Sequence, residues 1–309
     1  MPVNPSEAKF FAEAAKQTSK PLSEISLNEL RAAIKTNSVY AGTEVELPKQ
    51  DSHITVRDGY QAPIRIYNSH LNHGPFIVFY PGCGYIYPLF EWNCIIASRI
   101  AKLANSKLIV INHRLAPEYP LATAIYDAYD ATQYIYNHPQ KFGIEPQNLI
   151  LCGLSSGAHC AATISTLAQT DSTLKIRKQI LLNGMYDLTR SLTAFKTFEQ
   201  EDKSLTPELL AFQIQFYGLD TQQLAEPLYS PYFAKNIAKL PETIIISGEY
   251  DGMRSDSEAY YEKLKANDVN VKKIILSGQT HNTIAMRAIF VDGVDPAEVI
   301  ADNVKKNLL

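Results

Sequence analysis

Short apolar runs recur along this chain, and segments with helical periodicity lie between them or follow the last one. An apolar run of this length without polar alternation is typical of a strand that is buried on both faces of a parallel sheet. Strands that alternate with helices in this way imply right-handed crossovers, and they predict an α/β fold with helices on both sides of a sheet. The runs lie at 76–80, 107–112, 148–152, 179–183, 243–247 and 272–276, and the helical patterns lie near 91–104, 121–138, 156–169, 255–267 and 296–308.

Other parts of the chain depart from this rhythm. The segments 53–57 and 62–68 alternate polar and apolar residues, which predicts an antiparallel hairpin at one edge of a mostly parallel, eight-stranded sheet. Residues 1–37 are typical of two helices that precede any strand, and 188–236 interrupts the alternation with helical and proline-containing sequence. We expect approximately 1–40 and 188–236 to form a helical cap above one end of the sheet, within a single domain of residues 1–309.

Composition and charge exclude several classes of protein. The chain has 29 basic and 32 acidic residues and a net charge of −3, which does not favour binding to nucleic acid or to an anionic membrane surface. No apolar stretch reaches the ~18 residues of a membrane span, and the N-terminus lacks a secretory pattern. The cysteines, at 83, 94, 152 and 160, lack the spacing of zinc ligands and are too sparse for a disulfide scaffold. We therefore expect a reducing, cytoplasmic location.

The strongest candidate for chemistry is a serine between the predicted strand 148–152 and the helix that follows it. The sequence there is Gly153-Leu154-Ser155-Ser156-Gly157. A tight strand-to-helix turn needs small flanking residues, and it presents the serine hydroxyl at the carboxyl end of the sheet. The N-terminus of the following helix favours negative charge that develops beside it.

A serine hydroxyl needs a base, and the base needs an orienting acid. In sheets that carry this turn, the chain order is serine, acid and histidine. His281 lies in a polar loop after a predicted strand, whereas His159 lies on the helix of the turn and is expected to be a packed or surface residue. Asp251 and Glu249 both follow the strand 243–247, so position alone leaves the acid open.

The loop after the third strand is the second place where reaction chemistry is expected. Backbone N–H donors there, and the N–H of the residue after the nucleophile, would hold the oxyanion of a tetrahedral intermediate. That residue is Ser156, and the loop reads Tyr80-Pro81-Gly82-Cys83-Gly84-Tyr85. Glycines allow the backbone to approach a substrate closely.

The chain resembles the bacterial carboxylesterases of the hormone-sensitive-lipase-type branch of the α/β-hydrolase fold. The segment 113–120, HRLAPEYP, and the Asp127-Ala128-Tyr129 helix after it are close to the YRLAPE-x-P…DAY stretch of that family. The resemblance covers essentially the whole chain and implies a three-layer α/β-hydrolase sandwich that needs no metal or cofactor. It implies these site residues: Ser155 as nucleophile, Asp251 rather than Glu249 as acid, His281 as base, and Cys83, Gly84 and Ser156 as oxyanion donors.

The chain also departs from the family pattern. Pro81 and Cys83 stand where the family has the histidine and a glycine of its HGGG loop, and Leu154 replaces the acidic residue before the nucleophile. Asn282-Thr283 follows the base in place of Gly-Phe, and Gly252-Met253 replaces Pro-Leu after the acid. We expect these changes to affect rate and substrate preference more than the type of reaction.

The sequence and the resemblance together predict a serine esterase that acts on small carboxylic esters with short or medium acyl chains. The alternatives are an amidase similar to arylformamidases and a hydrolase-fold protein that binds a small ligand without turning it over. If Cys83 lines the pocket, thiol-blocking reagents should slow turnover. Homodimers are common among relatives, so a dimer is possible by analogy only. The predicted pocket residues are Tyr85, Leu154, Phe212 and Phe216.

Overall fold

A central sheet organises the computed structural model, which describes residues 3–14, 20–170, 174–191 and 205–306. Within these ranges the sheet has eight strands in the order β1-β2-β4-β3-β5-β6-β7-β8. Strands β1 and β2 form an antiparallel hairpin, β2 pairs antiparallel with β4, and all the other pairs are parallel. The predicted mostly parallel, eight-stranded sheet is confirmed. The strands are β1 Lys49–Thr55, β2 Gln61–Tyr67, β3 Phe76–Tyr80, β4 Lys107–Ile111, β5 Leu149–Leu154, β6 Lys178–Leu182, β7 Glu242–Gly248 and β8 Val271–Leu276.

Helices cover the two faces of this sheet. Along β3, Ile77 and Phe79 face the helices α3 and α10, whereas Phe76, Val78 and Tyr80 face α4, α6 and α9. This is the period of two that sends successive side chains of a strand to opposite faces. The three layers are therefore as predicted. The helices are α1 Pro5–Ala14, α2 Leu27–Asn37, α3 Phe90–Ala104, α4 Leu121–Asn137, α5 Pro139–Phe142, α6 Ser156–Thr170, α7 Pro207–Gln215, α8 Thr221–Leu224, α9 Arg254–Lys265 and α10 Pro296–Lys305.

Burial differs from the prediction at two strands. The run 272–276 was expected to be buried on both faces, but most of β8 is only partly buried because it forms an edge of the sheet. The segment 62–68 was expected to alternate, yet β2 is buried along most of its length. Its place between β1 and β4 gives it neighbours on both sides. Strand order decides both outcomes, and it cannot be read from the pattern of either segment alone.

The segments that were expected to form a cap supply four of the described helices. Helices α1 and α2 belong to 1–40, and α7 and α8 belong to 188–236. Side chains of α2 and α7 line one cavity together with residues at the carboxyl ends of the strands, so both helices lie above that end of the sheet. Of the expected cap, residues 1–2, 15–19 and 192–204 fall outside the described residues. In the ranges that are described, no helix has both the length and the apolar character needed to cross a membrane.

Candidate active site

The turn between β5 and α6 holds Ser155 in a strained backbone conformation. Ser155 has a φ of 55°, in the left-handed region that residues with a Cβ atom rarely occupy. A Cβ atom on Gly157 would lie 1.9 Å from the Tyr80 carbonyl oxygen, and one on Gly153 would lie 2.1 Å from the Gly157 carbonyl oxygen. Both positions flanking the serine therefore require glycine, and the tight turn presents Ser155 above the end of the sheet.

Ser155, His281 and Asp251 form a hydrogen-bonded chain. His281 Nε2 lies 3.0 Å from Ser155 Oγ, and His281 Nδ1 lies 2.8 Å from Asp251 Oδ1. Asp251 follows β7 and is completely buried, and its Oδ1 also accepts a hydrogen bond from the Met253 backbone N–H. A carboxylate at Nδ1 keeps the proton on that nitrogen, so Nε2 is free to accept the serine proton.

Glu249 and His159, the other acid and the other histidine that follow Ser155 in the sequence or lie near it, are bonded to other groups. The Glu249 carboxylate accepts a hydrogen bond from the Gly278 backbone N–H, which lowers the pKa of that carboxyl. His159 Nδ1 accepts from the Tyr85 hydroxyl, and its Nε2 lies 2.7 Å from the Tyr229 carbonyl oxygen. Burial lowers the pKa of His159 to about 4, although the bond to Tyr229 opposes this shift. His159 is therefore a neutral, packed residue beneath the loop 80–85.

The loop 80–85 lies against the start of α6, but its amides are partly occupied. Asn93 is buried and holds Gly82 from both sides, since Asn93 Oδ1 accepts from Gly82 N–H and Asn93 Nδ2 donates to the Gly82 carbonyl. The Cys83 backbone N–H donates to Ser156 Oγ at 2.9 Å. Gly84 has a φ of 51° and lines the cavity in front of Ser155.

The prediction gives three backbone donors for an oxyanion, at Cys83, Gly84 and Ser156. In the structure, the Cys83 N–H is already hydrogen-bonded. The residues do lie together beside Ser155. However, the Ser156 hydroxyl accepts the hydrogen bond of the Cys83 backbone N–H. A hydroxyl that accepts from a backbone N–H competes with any oxyanion for the same donor.

A cavity of about 300 Å³ opens in front of Ser155 and His281. Its walls are mostly apolar, and they come from α2, from α7 and the residues just before it, from the start of α3 and from the loop after His281. Ligand cavities of this type start at about 300 Å³, so the space suits a small molecule. Its main lining residues are Leu30, Ile34, Gly82, Cys83, Gly84, Tyr87, Leu89, Trp92, Asn93, Leu154, Ser155, Leu205, Leu209, Gln213, His281 and Met286.

Of the predicted pocket residues, Leu154 lines this cavity and Tyr85, Phe212 and Phe216 do not. Tyr85 is fully buried, and its hydroxyl is bound to His159 on the other side of the loop. On α7, Phe212 and Phe216 pack against each other, with ring centroids 5.0 Å apart. These three pocket predictions are therefore wrong.

The face of α7 that does reach the cavity carries Leu209 and Gln213, and Leu205 precedes it. Leu209 and Gln213 are four residues apart in α7 and therefore lie on one side of the helix, whereas Leu205 lies before the N-cap residue Thr206. The Thr206 side chain accepts from the Leu209 backbone N–H and marks the start of the helix. The spacing of apolar residues in this segment can be read from the sequence, but it does not indicate which face of the helix lines the cavity.

A family model described as the alpha/beta hydrolase fold matches residues 77–285. The chain belongs to this family. An arylesterase from Saccharolobus solfataricus is 27% identical to this hydrolase, over 91% of this chain and 92% of its own length. An ethyl acetate hydrolase from Pseudomonas putida is 22% identical over 100% of each chain. A hyperthermophilic esterase from the archaeon Pyrobaculum calidifontis shares 25% identity and the fold, with a TM-score of 0.91 over 99% of this chain and 98% of its own. These similarities confirm the predicted carboxylesterase resemblance.

One residue of the hydrolase site could not have been found from the sequence. Glu7 of α1 is completely buried, and its carboxylate accepts hydrogen bonds from the Thr280 and Thr283 hydroxyls at 2.6 and 2.7 Å. These threonines lie on both sides of His281. The Asn183 side chain adds a bond to the His281 carbonyl oxygen. No local pattern connects Glu7 with a loop 273 residues later in the chain.

Proposed function

We propose that this hydrolase cleaves carboxylic esters with short or medium acyl chains through an acyl-enzyme on Ser155. The observation that carries the proposal is the hydrogen-bonded chain from Ser155 Oγ through His281 to the buried Asp251, which opens into an apolar cavity. The arylesterase and the ethyl acetate hydrolase that resemble this chain over nearly its whole length support the same type of reaction.

In the first half of the reaction, Ser155 Oγ attacks the ester carbonyl carbon while His281 Nε2 takes its proton. Asp251 stabilises the imidazolium that forms, and the geometry at Nδ1 keeps the ring in the productive tautomer. His281 then gives the proton to the oxygen of the leaving alcohol, and the acyl group stays on Ser155. In the second half a water molecule takes the place of the alcohol and releases the acid.

The oxyanion that forms in both halves needs preorganised donors, each of which contributes roughly 10²–10³ to the rate. We assign this role to the backbone N–H groups of Gly84 and Ser156, and to that of Cys83 once the Ser156 hydroxyl rotates away from it. Asn93 keeps the loop in place during the reaction by holding both backbone groups of Gly82. Pro81 has no side-chain donor or acceptor that could support the loop, so the Asn93 side chain supplies this support.

The cavity sets the size of the substrate. Helices α2 and α7 close it from above and act as the cap, and Leu30, Leu209 and Trp92 limit the length of the chain that fits beside Ser155. A space of about 300 Å³ holds a short acyl chain together with a small alcohol more readily than a long lipid. The cytoplasmic location and a possible homodimer stay predictions.

A panel of p-nitrophenyl esters from acetate to palmitate tests the proposal. We expect the highest kcat/KM for short or medium chains, no turnover by Ser155→Ala, and loss of labelling by a fluorophosphonate in that variant. Faster cleavage of anilides than of esters with the same acyl group would instead indicate an amidase. Absence of both turnover and labelling in the wild-type protein would indicate a ligand-binding protein.

A matched pair of acid variants tests the assignment of the third residue. Asp251→Asn should lower kcat by about 10⁴-fold, because an amide at this position favours the wrong tautomer of His281. Glu249→Gln should stay within a few-fold of wild type, because its carboxylate is bonded to Gly278 and not to the histidine. A larger loss in Glu249→Gln than in Asp251→Asn would overturn the assignment.

A further inference from the structure

A second pair of nucleophile and base lies beside the candidate active site. Cys83 Sγ is 3.8 Å from His113 Nε2. His113 Nδ1 lies 2.8 Å from the Arg114 carbonyl oxygen, which can only accept, so Nδ1 carries a proton and Nε2 of the neutral ring faces the thiol as an acceptor. A thiol, a base within reach and a third group that orients the base make up the arrangement that activates cysteine nucleophiles.

Cys83 differs from the other cysteines in access and in ionisation. Cys83 is 4% exposed and lines the cavity in front of Ser155, whereas Cys94, Cys152 and Cys160 are each 0% exposed. Burial raises the pKa of Cys94 and of Cys152 to about 12. Burial also disfavours the thiolate of Cys83, but the His113 imidazole and the Ser156 hydroxyl outweigh it, so the pKa of this thiol is lowered.

His113 also lines a second cavity. A depression of about 360 Å³ on the other side of the loop is lined by His113 together with Asn112, Arg114 and Tyr60. His113 is therefore a lining residue of this depression and also the partner of the Cys83 thiol.

We propose that Cys83 and His113 form a modification site in the ester cavity, at which a small carbon electrophile is bound covalently. In the reaction with an alkyl halide, the thiol proton moves to His113 Nε2, and the sulfur forms a bond to the carbon that carries the halogen. The carbon–halogen bond breaks, and the halide leaves with its electron pair. The thioether is stable and needs no oxidant or cofactor.

The adduct stops ester turnover for a geometric reason. Cys83 and Ser155 line the same cavity, so a group added to Cys83 competes with the substrate for space there. The same residue contributes the backbone N–H that contacts Ser156 Oγ at the oxyanion loop. The inference goes beyond the proposed function, since the reactivity of Cys83 depends on His113 and not on Ser155.

Iodoacetamide, with each cysteine followed by mass spectrometry of peptides, tests the site. We expect Cys83 to be carbamidomethylated at least about tenfold faster than the other cysteines, and faster than free glutathione at the same pH, because a larger fraction is thiolate. His113→Asn should lower the rate at Cys83 by about tenfold or more. Ser155→Ala should leave it unchanged, so the result does not depend on esterase activity.

Three results of the labelling experiment would contradict the proposal. Labelling of Cys83 no faster than that of glutathione, equal labelling of all the cysteines, or an unchanged rate in His113→Asn would each overturn the proposal. If His113→Asn does not fold, the comparison with glutathione in the wild-type protein decides. Cys94→Ala is the matched control, since it removes a cysteine outside the cavity and should change neither the labelling of Cys83 nor the loss of turnover that follows it.

Discussion

The carboxylate of Glu7 and the hydroxyl of Thr280 are joined by a 2.6 Å hydrogen bond between α1 and the loop that carries His281. The same carboxylate accepts from the Thr280 backbone N–H and from the Thr283 hydroxyl. Both flanks of His281 are therefore fixed by one buried residue from the other end of the chain. We infer that Glu7 is a positioning residue for His281, the proposed base.

This relationship makes the effect of Glu7→Ala testable. A hydrogen bond contributes about 1 kcal/mol, so loss of two of the bonds that hold the loop to Glu7 would lower kcat by about 30-fold. KM should change little, because Glu7 does not line the cavity. The acid limb of the kcat/KM profile should move to lower pH, since a looser contact with Asp251 stabilises the imidazolium less. Steady-state kinetics over a pH series measure all of these quantities.

Controls separate positioning from general loss of structure. Glu13→Gln alters an exposed carboxylate near the end of the same helix and should leave kinetics unchanged. Glu7→Gln keeps one oxygen acceptor for the threonines and should retain more activity than Glu7→Ala. A lower melting temperature in Glu7→Ala with kcat and the pH profile unchanged would contradict the positioning role.

The hydrogen bond between Cys83 N–H and Ser156 Oγ predicts that Ser156→Ala is faster than wild type. Releasing the amide from this bond avoids a cost of about 1 kcal/mol, which corresponds to about fivefold in kcat. Ser165→Ala, a buried serine on the same helix and away from the cavity, is the control and should not change kcat. A slower Ser156→Ala variant would mean that the hydroxyl supports the oxyanion loop and does not compete with it.

The cavity lining predicts that substitutions at two neighbouring residues of α7 have different effects on acyl-chain preference. Leu209→Ala enlarges the cavity, so kcat/KM for hexanoate relative to acetate esters should rise, by about fourfold for each additional methylene that becomes buried. Phe212→Ala should leave this ratio unchanged, because Phe212 packs against Phe216 away from the cavity. The ratio of the two ester rates, measured on one preparation, does not depend on enzyme concentration. A shift in Phe212→Ala alone would contradict this orientation of the helix.

The burial of His159 predicts that the folded protein loses stability at acidic pH. Burial lowers its pKa from 6.5 to about 4, so the unfolded chain takes up a proton first as the pH falls. The stability that His159 contributes is present above pH 6.5 and is lost as the pH drops through about 4, by an amount on the order of 3 kcal/mol. His159→Gln should flatten the dependence of melting temperature on pH in this window. An equally steep dependence in that variant would assign the effect to other groups.

The positions of the main strands, and the places along the chain where reactive side chains occur, could be predicted from the sequence alone. Mostly apolar runs located the six strands β3 to β8, of which only β8, at the edge of the sheet, is largely half-buried. The requirement for glycine at 153 and 157 was readable because a tight turn has no room for a Cβ atom. Ser155 and His281 follow from the rule that reacting groups collect where parallel strands end, whereas this rule left Asp251 and Glu249 open and the family resemblance favoured Asp251.

Tertiary structure alone decided which side chains become partners. The contact of Glu7 with Thr280, the capture of the Cys83 amide by Ser156, and the face of α7 that reaches the cavity all join segments far apart in the chain. Local periodicity carries no information about such pairs, because it reports only whether a face is buried. Which neighbour buries that face depends on how the helices pack on the sheet, and this is set by packing across the whole molecule.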